Sequence, residues 1–444
     1  MGQSVALRNT YQVAFEHFQR DISAPPRITA LRERGFEYFS AVGFPTTKME
    51  QWRFTNVSAI ASADFDLAEP IDISSAVLDQ YELHDVRGIK AVSINGRFSS
   101  TLSRTEQLPA GVEVGSLANA LTNNEIGITS HLGCHAPFEA HAFTALNTAF
   151  LHDGVVVWIH DNAIVDLPIH LLFVTTAADR HMNHPRVLVV AGENSQVRLV
   201  ESYAGLDEER YFTNAVTEIL VGKNAVIDHY KLVRDSIKAF HIGNMHVTLE
   251  QNANFSSHSI TLGGALVRNE VEAKLAGEGG ECTLNGLYLA NGDRLVDNHT
   301  TIRHEQPHCA SHELYKGILD DQAHAVFSGK IAVAIDAQKT NATQTNKAIL
   351  LSEDAHINTK PELEIFADDV KCTHGATIGQ LDKNALFYLR SRGLDIDQAR
   401  RLLIHAFASD LLNRISIEPI RIQLDALLLK HLPSSDLEVF DVNG

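Results

Sequence analysis

A cysteine and a histidine two residues apart, Cys372 and His374, stand where a long run of strand-like sequence gives way to helix, inside PELEIFADDVKCTHGATIGQLDKNALFYLRSRG at 361–393. On a strand, residues i and i+2 point to the same face. A thiolate donor and an imidazole donor would therefore face one way at the end of a rigid element. Such a pair is a half-site for a soft metal or an iron–sulfur species, with a partner chain completing it. Taken by itself, this spacing more often belongs to a buried cysteine beside a hydrogen-bonded histidine.

A denser group of donors lies upstream in NHTTIRHEQPHCASHE, with His299, His304, His308, Cys309 and His312. It contains neither CxxC nor HExxH, so no zinc template fits it. On strands and turns these side chains are expected to be structural or surface histidines. Cys282, after the turn EGGEC, and Cys134, in LGCH, are expected to be small structural residues. There is no phosphate-binding GxxxxGK[ST], and no GxGxxG or GxSxG, so ATP binding in the phosphate-loop mode is excluded. The acidic pairs Asp320–Asp321 and Asp368–Asp369 could serve a carbohydrate-cleaving β-helix enzyme. The charge of the chain opposes that alternative, because an acidic polysaccharide would be repelled.

The formal charge is −18, from 37 Lys and Arg against 55 Asp and Glu. A surface of that sign repels nucleic acid and anionic membranes. The four cysteines form no disulfide-dense pattern, which fits a reduced cytoplasmic setting. The start, MGQSVALRNTYQVAFEHF, reads as an amphipathic helix rather than a signal peptide. Gly2 opens a myristoylation-like motif, but Ala6 stands where Ser or Thr is wanted. No apolar run approaches the roughly 20 residues that span a bilayer.

The elements that must carry these side chains repeat. From about 155 to 380, strand-like runs with period-2 patterning (VRLVESY, VIDHYKLV, MHVTLEQ, VEAKLAG) alternate with short polar turns. The turns are DNAIV at 161, ENSQV at 193, KNAVI at 223, QNANF at 251, EGGEC at 278, DQAHA at 321 and EDAHI at 353, near 30 residues apart with one longer gap after the fifth. A strand-only unit of that length points to a β-solenoid, a parallel β-helix, rather than a propeller or a sandwich. Three regions follow: a mostly helical 1–135, a β-helix core at 136–381 and a helical 382–444. Helices are expected over 5–22 and 28–42, parted by Pro25 and Pro26, and over 136–150. A hairpin is expected around Asn95-Gly96. After the core, Asp382 should cap a helix ending near Gly393, and Asp395 with Gln398 should form a capping box for the next. Ala399, Leu402, Leu403, Ala406, Phe407 and Leu411 form the apolar stripe of that helix, and Pro419 precedes a last one at 420–432.

KCTHGAT at 371–377 and LFYLRSRG at 386–393, with KMEQWRFT at 48–55, YKGILDDQAHAVFSGKI at 315–331 and QTNKAILLS at 344–352, carry a resemblance over most of the chain to the SufB/SufD family of iron–sulfur cluster assembly proteins. Within the family the sequence resembles the SufD side. SufB typically has EHEAT where CTHGAT stands at 372–377, and a cysteine where Lys347 stands. The resemblance implies a right-handed parallel β-helix, pairing with SufB and docking on the ATPase SufC, with no catalysis by the chain itself. It implies that His374 is a cluster ligand or assembly residue at the SufB interface and that Cys372 is the neighbouring interface thiol. It further implies that SufC docks on the C-terminal helices, on Leu402, Leu403, Ala406, Phe407 and Leu411. No cofactor would be held stably by the isolated chain; iron or an iron–sulfur cluster would pass transiently through the interface. Self-pairing as a SufB-type homodimeric scaffold is the alternative, and the lysine at 347 weighs against it.

Overall fold

The computed structural model describes residues 2–22, 24–82, 88–123, 127–139, 141–176, 180–206 and 208–432. The last twelve residues of the expected helical region 382–444 thus lie outside the described part.

Parallel strands of about ten residues stack into a β-helix of about seven turns, as the repeat implies. Each turn contributes one strand to each of two sheets. The first sheet runs through Gly154–Ile159, Arg186–Ala191, Tyr211–Val221, Phe240–Leu249, Leu266–Leu275, Leu295–His304 and His324–Val333 to His356–Ile365. The second runs through Ile169–Thr175, Gln196–Gly205, Val226–Arg234, Asn254–Thr261, Glu281–Ala290, Ala310–Leu319 and Asn341–Leu350 to Lys371–Gly379. Alternate side chains point into the lumen. There Val157, Val189, Ile219, Val247 and Ala273 of the first sheet meet Leu171, Leu199, Ile227, Phe255 and Leu284 of the second in one continuous core.

The corners explain the turn motifs. On one side Asn162, Asn194, Asn224, Asn252, Gly279, His308 and Lys339 all have φ between 54° and 73°. Asparagine and glycine tolerate this left-handed conformation best. Each of the seven donates its backbone N–H to a carbonyl of the following rung, from Asn162 to Glu193 through Lys339 to Asp369, at 2.7–3.2 Å. The asparagine side chains stack as well: Asn194 donates to Asn162, Asn224 to Asn194 and Asn252 to Asn224, at 3.0, 2.9 and 3.1 Å. The long gap after the fifth turn is not an insertion. The turns at 321 and 353 lie on the opposite corner, which returns from the second sheet to the first, and His308 and Lys339 continue the asparagine corner in their place. The two acidic pairs are thereby separated. Asp321 accepts the Gly292 N–H on one corner, while Asp369 pairs with Lys339 on the other.

Both ends of the chain wrap the solenoid. Helices Gly2–Asp21, Pro26–Val42 and Ala142–Ala149 pack an aromatic cluster on the outer face of the first sheet, with Tyr11, Phe15, Phe18, Phe39, Trp52 and Phe143 among its members. The expected hairpin is present: Ile89–Ile94 and Arg97–Arg104 pair antiparallel around Asn95 and Gly96, both at positive φ, and extend the second sheet. The N-terminal region therefore supplies strands to the sheets as well as helices to their faces. KMEQWRFT is an anchor. Fully buried Arg268 donates to the Gln51 carbonyl, stacks 3.8 Å from the Trp52 ring and pairs at 2.5 Å with Asp297, which also accepts the Thr55 hydroxyl. A second buried pair, Arg186–Glu218, lies on the same face three rungs earlier, and Glu218 takes the backbone N–H groups of Gly133, His135 and Ala136.

The C-terminal helices cover the second sheet. Asp382 caps Lys383–Ser391 by accepting from Asn384 and Ala385, and Asp395 with Gln398 forms the complete capping box of Ile396–Leu412. In Glu418–His431, Pro419 sits within the first turn rather than before the helix. Ile404, Ala408, Leu411, Leu412, Ile420, Leu424 and Leu428 pack on Val200, Tyr230, Leu232, Ile260, Leu287 and Ile318.

Candidate functional site

The solenoid ends open. Strands His356–Ile365 and Lys371–Gly379 are the last in their sheets, and among the described residues nothing pairs with their outer edges. Earlier core strands bury at least their lumen-facing residues; of these two, the first is half-buried and the second exposed. Around the opening stand Phe366, 68% exposed, and Phe387, 75% exposed, with Ile365, Ile378 and Tyr388 also exposed. Helix Lys383–Ser391 buries none of its residues.

Cys372 and His374 are on this last rung, in register with Ala342 and Gln344 of the rung before. Cys372 packs with Ile331, Val333, Ala337, Ala342 and Ala367, so its strand face is the lumen face. His374, two residues on, shares that face and stays exposed because no further rung covers it. Burial pushes the Cys372 thiol up, which keeps it protonated in the isolated chain. The two side chains thus form the one-sided donor pair that the spacing suggests.

The donors at 299–312 do not converge. His299 pairs with buried Asp297 at 3.0 Å on the outer face. His304 is in the lumen, bonded to Ser311 at 2.9 Å, and burial holds it down to about 4. His308 is a corner residue, Cys309 is buried with its thiol toward the Gly277 carbonyl, and His312 contacts Thr343 outside. Among the described residues no group of three or more such donors is arranged to hold a metal ion. Cys282 is buried in the lumen, where burial raises its thiol well above the usual range, and Cys134 is exposed.

Helix Ile396–Leu412 is held to the outer face of the second sheet by Lys316, whose ammonium donates to the Phe407 carbonyl at 2.9 Å and to Asp410 at 2.6 Å. Of its five expected docking residues, Leu402 and Ala406 are exposed, and Leu403 and Phe407 are half-buried. Leu411 is fully buried, because it belongs to the seam that fixes the helix to the sheet. It is not available to a partner. Lys347 is on the outer face of the last rungs, opposite to the face that carries His374.

The sequence matches the N-terminal region of SufBD proteins over residues 5–171, and the domain described as "SUF system FeS cluster assembly, SufBD core domain" over 173–407. The chain belongs to the SufB/SufD family. An iron–sulfur cluster assembly SufBD family protein of Synechocystis is 37% identical over 395 residues, 87% of each chain. The iron–sulfur cluster assembly protein SufD of Escherichia coli is 30% identical over 394 residues, covering 88% of this chain and 90% of the relative. SufD of Bacillus subtilis is 24% identical over 452 residues, covering 96% and 98%. The match to the SufBD core ends at 407, inside helix Ile396–Leu412, so the open rung with Cys372 and His374 lies within it. Two features of the site were missed in the sequence. The exposed aromatics Phe366 and Phe387 are ordinary apolar residues until the solenoid is seen to end beside them. The lumen neighbours of His374 are distant in sequence and become visible only through strand register.

Proposed function

We propose that this SufB/SufD family chain is a SufD-like subunit that pairs with SufB along its open last rung and docks the ATPase SufC through its C-terminal helices. Iron or a nascent iron–sulfur cluster is the transient cargo of the SufB interface, and His374 with Cys372 is this chain's share of the donors there. ATP hydrolysis belongs to SufC, since this sequence lacks a phosphate loop. The complex works in the cytoplasm. The observation that carries the reading is the uncapped rung: two unpaired strand edges, exposed aromatics beside them, and a soft-donor pair on the lumen face at their end. An unpaired edge invites another strand, and the same edge would support a homodimer when SufB is absent.

Mixing the purified chain with SufB and SufC, then sizing the products, tests the pairing; failure to form a ternary complex would overturn it. For the site, His374→Ala is expected to lower the iron and sulfide content of the co-expressed complex while circular dichroism stays native, and His308→Ala is expected to be near neutral. Wild-type content in the His374 variant would refute the assignment.

A further inference from the structure

The lumen column that ends at His374 contains one residue per rung of the second sheet: Ile169, Leu199, His229, Ser257, Leu284, Glu313, Gln344 and His374. The last three are polar in succession, directly beneath the open end. Glu313 and Gln344 are both almost completely buried. Gln344 Nε2 donates to Glu313 Oε2 at 2.7 Å. The Gln344 amide oxygen is buried and accepts no hydrogen bond, and Glu313 Oε1 is likewise unpartnered. The amide is also wedged from the opposite sheet: any side chain added at Gly329 would overlap its nitrogen. The nitrogen is thus flanked by Glu313 on one side and by Gly329 on the other.

This arrangement is costly. Burial pushes the Glu313 carboxyl up to about 7. Facing it are Cys282 and Tyr315 of its own sheet and Thr300 of the other, and none of these is a counter-ion. A buried carboxyl with no counter-ion among its neighbours is destabilising unless it holds something in place. What it holds is the Gln344 amide, and the residue above that amide is His374.

We propose that Gln344 is the positioning residue of the His374 imidazole: its amide oxygen, fixed by Glu313 and by the Gly329 backbone, accepts one ring N–H and turns the other nitrogen toward the open end. Adjacent rungs are ~4.8 Å apart, within reach of a rotamer change of the ring. A histidine that binds metal through one nitrogen characteristically donates from the other to a carbonyl or carboxylate, which fixes tautomer and ring plane. The inference rests on the assignment of His374 to the interface site, but its test does not depend on loaded cluster.

The test uses the full chain labelled with ¹⁵N-histidine, with the His374 signals assigned by difference against His374→Ala. Long-range ¹H–¹⁵N spectra report the tautomer. A single tautomer is expected in the wild type. A mixture is expected in Gln344→Met, and also in Gly329→Ala, which displaces the amide without touching the column; circular dichroism checks that both remain folded. Glu313→Gln/Gln344→Glu, which exchanges donor and acceptor, is expected to restore the single tautomer. A mixed tautomer in the wild type, or spectra unchanged by Gln344→Met and Gly329→Ala, would overturn the inference. In the co-expressed complex, Gln344→Met is expected to reduce retained iron about tenfold. Loss of iron in His374→Ala but full retention in Gln344→Met would overturn the positioning role and leave the function standing. Full retention in His374→Ala would sink the function, while the tautomer spectra still decide whether Gln344 orients the ring.

Discussion

Among the lumen residues, those near Lys231 show how much charge this core tolerates. Glu201 accepts from the Tyr203 hydroxyl at 2.7 Å and from His229 at 3.3 Å, and Asp235 binds His241 at 2.9 Å and the Tyr211 hydroxyl at 2.8 Å. Burial alone would raise the Glu201 carboxyl, but His229, Lys231 and Tyr203 outweigh it and hold it down at about 2. Burial lowers Lys231, whose ammonium lies over the Tyr203 ring at 5.3 Å. Room for that ammonium comes from a glycine: a methyl group at 243 would run into the Lys231 amine and the His241 ring. Gly243→Ala is therefore expected to destabilise the chain by about 1–3 kcal/mol through overpacking, measured by urea denaturation. Made in a Lys231→Met background, which lacks the amine, the same Gly243→Ala change should cost much less. A Gly243→Ala variant as stable as the wild type would show that the amine moves aside freely. Nothing in the sequence pattern marks Gly243 or Lys231. On a strand with period 2, Lys231 reads as a solvent-facing position, and only the register with Glu201 and the facing glycine reveal an inward charge.

The C-terminal helices show where sequence patterning stops at the level of the element. Their ends were legible, because Asp382, Asp395 and Gln398 act through short-range hydrogen bonds that a local sequence contains. The choice of face was not. Ile396–Leu412 has two stripes at helical spacing, Leu402–Ala406 and Ile404–Ala408–Leu411, and an apolar helix does not say which one meets the sheet. The sheet took the second, leaving Leu402 48% exposed. Because the buried stripe covers Val200, Tyr230, Leu232 and Ile260, deleting the helices would bare the outer face of the second sheet. A truncation would thus confuse docking with stability, and point variants separate them. Leu402→Asp should change stability by less than about 1 kcal/mol, as a surface substitution, yet weaken capture of SufC. Ile404→Asp, placing a charge in the seam, should cost more than about 3 kcal/mol. Thermal melts and pull-down assays read both. Capture of SufC at full strength by the Leu402 variant would remove this helix face from the docking surface.

At the scale of the whole molecule, the β-helix was legible because a stacked repeat writes its corners into the sequence, and asparagine at positive φ is a strong local signature. The one misplaced feature, the turns at 321 and 353, came from treating all turns as one column when a two-sheet solenoid has two. Composition did not reveal how this fold responds to acid. Burial pushes His170 and His184 down to about 3, and His152, His246, His258 and His304 down to about 4. In the unfolded chain each would titrate near 6.5. Between pH 6.5 and 4 the unfolded state therefore binds more protons than the folded one, and stability falls as pH falls. At pH 5 the six histidines together give a slope of roughly 7 kcal/mol per pH unit. Glu313 works in the opposite sense, since its folded value lies above its unfolded one: its contribution is lost as pH rises toward 7, but it is one proton against six. Glu201, held at about 2, matters only below about pH 4.5. The expected result is a stability plateau near neutrality and a steep loss between pH 6 and 5, before any carboxylate outside the lumen is protonated. Urea midpoints across pH 5–7.5, with proton uptake on unfolding measured by calorimetry in buffers of different ionisation enthalpy, test this. His184 stacks on Phe150, with ring centroids 5.2 Å apart and planes 12° apart, so His184→Phe should be accommodated and should lower the slope by about a sixth. A midpoint that stays flat from pH 7 to 5, or proton uptake below one per chain at pH 5, would mean that these imidazoles are charged and hydrated in the folded state.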